Sequence, residues 1–576
     1  MNIVSFEKCL RLWDNHFFRF SLFALLVWIA YYFHFPKFGL YEDDYWFIGI
    51  PANTPLKELM EMMINHFFDF QNNHGRYISV FLPWLLAFLN FKIGGLWFTY
   101  FFGIILVALN VFLFHIIIKS RFPAELAFFA ALVFLFFPAD TTKALLVHIY
   151  QLQISVLFLM VAGVFWIRSK KWVSYIFATS CLLMYESPFL PFILFPLLDE
   201  VSFTKKFFIN LIKHLLIVSI IVIIVFVTRK LLGESRVDGL TLLETSKRVL
   251  LSITGGPLVT LYSLLRSPYL ALSEINYTSP YIFASFLLLF PCIWLINSRF
   301  IDDQHRFIHL PLTSKYLKAA VDINPVLINA LKGIGVGILM AMVGYLFSVT
   351  HYPPTTLNGR MTSVHLAATF GIALFTGSFF YLILFILKKK FRFAFSVLLS
   401  LNFALLSGYG ALIQKDYIIG WELQKDLMGQ VLEKCPDVED GTVIFLSPEN
   451  LQNPKNVIAY SWALPIIFEN LYYFPPQWDR PPKITLYNEF YVNLDIDSNS
   501  KFYFEPRYRF LYENDTIVYL QQNNIIFMEK ADGKYSRIDT LFVVNRDTLF
   551  AKPYTGEDNL RKFEQRRIHP YIINEP

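Results

Sequence analysis

Apolar residues fill a succession of long runs over the first 414 positions, at roughly 20–38, 77–92, 96–118, 124–138, 151–167, 172–198, 207–228, 249–265, 277–297, 329–349, 366–387 and 393–413. An α-helix needs about 20 such residues to cross a hydrocarbon core about 30 Å thick, so the pattern predicts an α-helical polytopic membrane protein with about 11–13 transmembrane helices. Two runs carry a break. The short run from Tyr77 closes on Lys92-Ile93-Gly94-Gly95 and reads as an interfacial or half-membrane helix. Tyr185-Glu186-Ser187-Pro188 interrupts 172–198. Either that run is two short pieces, or it is one long span and 249–265 also crosses.

The connection between the first two runs, 39–76, is long. Its middle, 54–70, places Thr54 as a cap, Pro55 at a first helical position and apolar residues at 56, 59, 60, 63, 64 and 67. That three-and-four spacing predicts an amphipathic helix lying on the membrane. Past residue 414 the polarity rises and the period shortens. Stretches 441–447, 483–494, 502–512 and 516–522 are rich in aromatic and β-branched residues in the manner of strands, behind a helical lead at 421–432. No run there could span a bilayer. The chain therefore divides into a cytoplasmic N-terminus (1–19), a membrane domain (20–414) with its first external loop at 39–76, and a C-terminal soluble α/β or mainly β domain (415–576).

Composition sharpens the class. Residues are 55% hydrophobic, 18% aromatic and 16% charged, against about 25% charged in an ordinary soluble domain. The net charge of +6 comes from Lys and Arg spread between apolar runs, which sets topology and excludes a nucleic-acid partner. Lys8, Arg11 and Arg19; Lys119 and Arg121; Arg168, Lys170 and Lys171; and Lys388, Lys389, Lys390 and Arg392 all belong on the cytoplasmic side. They can share it only if one run before Lys119 does not cross, and 77–92 is the natural choice. The external side then receives the acidic residues after the first run, 137–143, 351–360 and everything past about 414. The first run has no small-residue cleavage site behind it and reads as a retained span. Cys9, Cys181, Cys292 and Cys435 are too scattered for a metal site, and three lie in or beside expected membrane segments, so no disulfide framework is implied. Asp302 and Asp303 read as solvated residues of a cytoplasmic loop.

Acids beside a bilayer are costly and tend to be functional. Glu42, Asp43 and Asp44 stand in a row at the mouth of the first span, with Asn72-Asn73-His74-Gly75-Arg76-Tyr77 closing the same loop. Glu186 is an acid inside an apolar run, or a buried structural hydrogen-bonding group. Asp140, in Phe137-Pro138-Ala139-Asp140, reads as a helix cap or a site residue. Arg360, in Asn358-Gly359-Arg360, lies against the positive-inside trend. His74 is a polar loop residue or an acceptor contact, and the 12 His show no zinc-like spacing.

Taken together, these motifs resemble the GT-C superfamily of integral-membrane glycosyltransferases, which includes protein O-mannosyltransferases, aminoarabinose transferases and phage-type O-antigen glucosyltransferases. The resemblance covers about residues 20–414 and is greatest to the O-antigen branch. It implies a polyprenyl-phosphate sugar as donor, a glycan, lipid or protein as acceptor, and a multi-pass location in a bacterial inner membrane with the active face extracytoplasmic. An Asp-Asp pair can also hold a divalent cation such as Mg or Mn, and some members of that superfamily use one.

The chemistry asks for the same residue types. Transfer from a lipid phosphate to a hydroxyl needs a base at the acceptor, for which Asp43 is favoured and Asp44 second. The leaving phosphate needs positive charge, ideally a guanidinium fork, and Arg76 and Arg360 are the candidates. A single displacement inverts the anomeric centre. The reading from another class is a transporter or flippase of lipid-linked glycans, which would place its charges in a central cavity between related halves. A polysaccharide polymerase or ligase shares the substrate class but would keep its large loop late in the chain.

Overall fold

The computed structural model describes residues 15–573 apart from 69–75, 200–203, 232–239, 305–324, 350–352, 488–493, 497–501, 507–514, 522–523, 539 and 543–547. Nine helices among the described residues are long and apolar enough to cross a membrane, below the 11–13 expected. The difference comes from runs that fuse, bend or fall short of a span. The chain forms two compact units: 1–35, 62–83 and 97–415, and 36–61, 84–96 and 416–576.

In chain order the long helices are α1 His16–Val27, α2 Leu56–Phe68, α3 Tyr77–Lys119, α4 Ala124–Phe136, α5 Leu146–Ile167, α6 Lys171–Met184, α7 Lys205–Leu231, α8 Leu242–Ser273, α9 Ile275–Gln304, α10 Pro325–Val343, α11 Ala368–Ile386 and α12 Lys389–Lys434. The break after Lys92 is real: α3 bends at Gly94 and Gly95, where Gly95 takes φ +61° and ψ −151°, a conformation essentially reserved for glycine that costs other residues about 1–3 kcal/mol. Thr54 does not cap α2 as expected. It ends the preceding turn, its hydroxyl donating to the Ile50 carbonyl at 2.8 Å. The lead at 421–432 is no separate helix but the far end of α12. Asp302 and Asp303 lie in the last turn of α9 rather than in a loop.

In the first unit, the run 172–198 breaks at 185–188 into two short pieces. α6 rises to Met184, and the turns Ser187–Leu194 and Pro196–Asp199 return, so that Asp199 meets Lys171 at 3.1 Å and Arg121 at 2.8 Å. Pro188 and Pro191 favour the return, since proline removes donors an α-helix would use. Two of the basic sets thus gather at one end of the bundle, and Glu186 sits at the other, at the apex of the hairpin. α8 keeps to the Glu186 end throughout. Its Arg248 donates to the Val349 carbonyl (3.4 Å), Leu261 and Leu264 pack on Phe137 and Ala139, and Glu274 at its close pairs with Lys415 (2.8 Å). The run 249–265 therefore lies across that end. Small residues, Ser252, Gly256, Thr260, Ser263 and Ser267, face inward, while Leu250, Leu258, Tyr262 and Leu265 are exposed.

α1 widens into a π-turn at Trp28–Tyr32. Such a turn frees carbonyls from their usual partners, and buried Gln414 donates to two of them, Ile29 O (3.0 Å) and Ala30 O (2.9 Å).

In the second unit the strands are β1 Val443–Leu446, β2 Tyr472–Tyr473, β3 Lys483–Leu486, β4 Leu494–Ile496, β5 Phe502–Phe504, β6 Val518–Tyr519, β7 Ile525–Ala531, β8 Lys534–Ile538, β9 Thr540–Phe542, β10 Thr548–Phe550 and β11 Glu564–Gln565. Sheet order is β3-β1-β7-β8, with β1 parallel to both β3 and β7 and a β7–β8 hairpin at one edge. A second sheet runs β4-β5-β6. Every residue of β1 and β3 is buried, as parallel strands covered on both faces require.

Candidate functional site

Two of the residues singled out in the sequence meet in the first unit. Arg76 precedes α3, and Glu186 stands at the apex of the broken hairpin, 110 residues later. The Arg76 guanidinium grips the carboxylate with two bonds, Nε to Oε2 at 2.9 Å and Nη2 to Oε1 at 2.6 Å. Arg229, near the end of α7, brings a second guanidinium, with Nη1 3.4 Å from Oε2 and Nη2 donating to the Leu182 carbonyl at 3.1 Å. The Arg76 guanidinium lies 3.9 Å from the Tyr185 ring centroid, a cation–π contact. Side-chain exposure is only 13% for Arg76 and 15% for Glu186. Burial works against the Arg76 charge, but the carboxylate and Tyr185 outweigh it and hold its pKa above the ordinary value.

At the same end of this unit, the segment 137–145 meets the segment 353–365. The Thr141 backbone N–H donates to Thr362 Oγ1 (3.1 Å), and Thr141 Oγ1 donates to the Gly359 carbonyl (3.3 Å). Asp140 turns inward: its Oδ1 accepts from Thr142 N (2.9 Å) and Thr142 Oγ1 (2.6 Å). It closes a turn, whereas the next helix is capped at Leu145. Lys143 is buried, and its ammonium donates to the carbonyls of Leu135 (2.6 Å) and Phe137 (3.1 Å) and to the Tyr31 hydroxyl (3.0 Å). Those acceptors match its three donors and satisfy the carboxyl end of α4. Arg360 opens the short helix Arg360–His365 and is half-buried. His365 is buried behind it, Nε2 donating to the Thr356 carbonyl (2.8 Å) and Nδ1 accepting from the Tyr345 hydroxyl (2.7 Å). Burial pulls its pKa down to about 4, against the opposing bond to Thr356.

The acidic row lies in the second unit and is buried rather than solvated. Glu42 takes φ +48°, and its Oε1 accepts from Ile458 N at 3.2 Å. Asp44 is fully buried, with Oδ2 accepting from Tyr41 N at 3.1 Å. Asp43 is 6% exposed, and its carbonyl accepts from Trp46 N and Phe47 N at the start of the π-turn Tyr45–Gly49. Around it the loop is fixed by the Tyr41 hydroxyl on Tyr417 O (2.7 Å), the Tyr45 hydroxyl on Gln424 Oε1 (2.6 Å), and Gly39 beneath the Trp421 ring, where a Cβ would fall 1.8 Å from Cδ2. Glu42 turns one oxygen to Ile458 N and Asp44 one to Tyr41 N. Among the described residues no group of three or more His, Cys, Asp and Glu could hold a metal ion. His74 lies outside the described residues.

Sequence reasoning passed over Arg229 and Lys143. Arg229 had a signal, a cation at the close of an apolar run on the side where cations are scarce. Lys143 had a weaker one, a cation in the short turn between two apolar runs. Among the described residues three cysteines, Cys181, Cys292 and Cys435, are free and buried. Compared with known proteins, the chain matches no family model, no curated protein and no solved structure.

Proposed function

We propose that this chain is an inverting glycosyltransferase that moves a sugar from a polyprenyl-phosphate donor to an acceptor hydroxyl at the external face of a membrane. One observation carries the reading: two guanidiniums converge on a single carboxylate at the end of the bundle away from the Arg121, Lys171 and Asp199 cluster. Such a cluster suits a lipid phosphate, because guanidiniums bind its oxygens in pairs and their attraction is strong where water is sparse. Glu186 holds the two cations in register against their mutual repulsion. In this reading Arg76 and Arg229 stabilise the departing phosphate, whose low basicity removes the need for an acid. Asp43, the base favoured by the sequence, takes the acceptor proton. No step is routed through a metal ion.

The test is transfer of radiolabelled sugar from a panel of polyprenyl-phosphate sugars by membranes containing wild type, Asp43→Asn, Asp44→Asn or Arg76→Lys at matched expression, with and without EDTA. Loss of a general base costs about 10²–10⁴-fold in rate, so Asp43→Asn is expected to transfer no more than about 1% as fast as wild type. Unchanged transfer by Asp43→Asn overturns its role. Movement of lipid-linked glycan across the bilayer without transfer from any donor replaces the enzyme reading with the flippase.

A further inference from the structure

The second unit holds a cavity of about 480 Å³ at the amino-terminal edge of β1, β3 and β7, within the roughly 300–1,000 Å³ range of small-molecule sites. Its floor is built from two turns. Asp440 accepts the backbone N–H of Arg480 (2.8 Å) and of Asp479 (3.0 Å), Gly441 N donates to Arg480 O (2.8 Å), and Asn524 Nδ2 donates to Asp440 O (2.8 Å). Its wall is β6 and the residues after it, including Tyr519 and Gln521. Tyr519 is 53% exposed and pairs across strands with Tyr503, their ring centroids 6.0 Å apart.

The lining selects a ligand class. Both of its cations are engaged by acids: Arg480 pairs with Asp515, and Lys483 pairs with Glu469 at 2.9 Å. Asp440 and Asp479 add negative charge, so a phosphate or nucleotide would be repelled. Asp479, Gln521 and Asn524 offer planar polar groups beside an exposed aromatic ring, a combination suited to hydroxyls flanking an apolar C–H face. We propose that this cavity binds a neutral saccharide, which stacks on Tyr519 and is hydrogen-bonded by Asp479, Gln521 and Asn524. Assignment of that saccharide as the acceptor rests on the transferase reading above, whereas the binding does not.

The experiment uses the full chain in detergent on a printed array of neutral and anionic oligosaccharides, with affinities then measured by calorimetry. Neutral glycans are expected to bind wild type, and about tenfold or more weaker to Tyr519→Ala and Gln521→Ala, a loss of about 1.4 kcal/mol or more. Both side chains are exposed, so neither variant threatens the fold. Binding of anionic glycans only, binding unaffected by both substitutions, or no glycan bound at all each overturns the site. Transfer assays on the same protein separate this inference from the last. Tyr519→Ala is expected to raise the KM for the glycan acceptor with kcat little changed, and Arg76→Lys to lower kcat. Glycan binding by a chain that transfers no sugar leaves the cavity standing and removes its acceptor role; transfer by a chain that binds no neutral glycan removes the cavity alone.

Discussion

Glu186 carries one negative charge for two guanidiniums, so removing it does more than delete a hydrogen bond. Breaking a buried ion pair costs about 3–5 kcal/mol, because the partner charge stays behind. Glu186→Gln is therefore expected to lower the melting temperature of the purified chain clearly. Adding Arg229→Gln should return part of the loss, with a coupling of about 0.5–3 kcal/mol in the double-mutant cycle; additive losses would show that the two side chains do not share the carboxylate. His365 gives a pH dependence. Its folded pKa of about 4 lies below the unfolded value near 6.5, so the native state binds fewer protons than the unfolded one. Its contribution is whole above pH 6.5 and is lost as pH falls towards 4, by roughly 3 kcal/mol at most. Melting between pH 7 and pH 4 should fall less steeply in His365→Gln than in wild type, and identical slopes would dismiss the histidine as the source. At this scale the sequence exposed the chemistry of single residues and not their partners. Arg76 stood out as a cation at a membrane boundary and Glu186 as an acid inside an apolar run, yet a separation of 110 positions hid the fact that one grips the other. Asp140 looked like a cap because Asp is a good capping residue, but Thr142 two positions on gave its carboxylate a closer partner.

The elements were most legible where backbone chemistry forces the outcome. Consecutive glycines at 94 and 95 marked the bend in α3, and Gly95 uses the freedom only glycine has at φ +61°. A Cβ there would also meet the Tyr571 hydroxyl at 2.0 Å. Gly95→Ala is expected to lower the melting temperature, whereas Gly335→Ala on α10, whose Cβ would enter open space, should leave it unchanged or raise it. Equal effects would mean that α3 accepts a different bend. The break at 185–188 was visible as a motif, while the choice between hairpin and long span was not, because hydropathy is the same for both. The position of Asp199 beside Lys171 decides it. α8 was left open for a related reason: its exposed Leu and Tyr give it the hydropathy of a span, and only the contacts of Arg248, Leu261 and Glu274 show that it stays at one end. The count of 11–13 helices counted such runs as crossings.

For the whole molecule, the basic residues give a prediction about orientation that contacts in the first unit make sharper. Arg121 and Lys171 share Asp199, so the turns at Ser120 and Ser169 lie at one end of that unit, while Gly359 and Thr141 meet at the other. Positive residues are retained on the cytoplasmic side, which predicts that the Asp199 end is the cytoplasmic one. Single cysteines in a Cys9→Ser background can report this, because Cys181, Cys292 and Cys435 are buried and burial pushes the Cys435 thiol up to about 12, leaving little thiolate to react. Cysteines at Ser120 and Ser169 are expected to react with a membrane-impermeant maleimide only after permeabilisation, and cysteines at Asn358 and Asn450 in intact cells. Asn450 tests the second unit independently, since it lies beyond α12. The reverse pattern at all four positions would turn the Arg76, Glu186 and Arg229 cluster towards the cytoplasm and remove the external donor from the proposed reaction. Labelling of Asn358 and Ser169 from the same side would contradict the hairpin at Glu186, because the helices between them would then cross an even number of times.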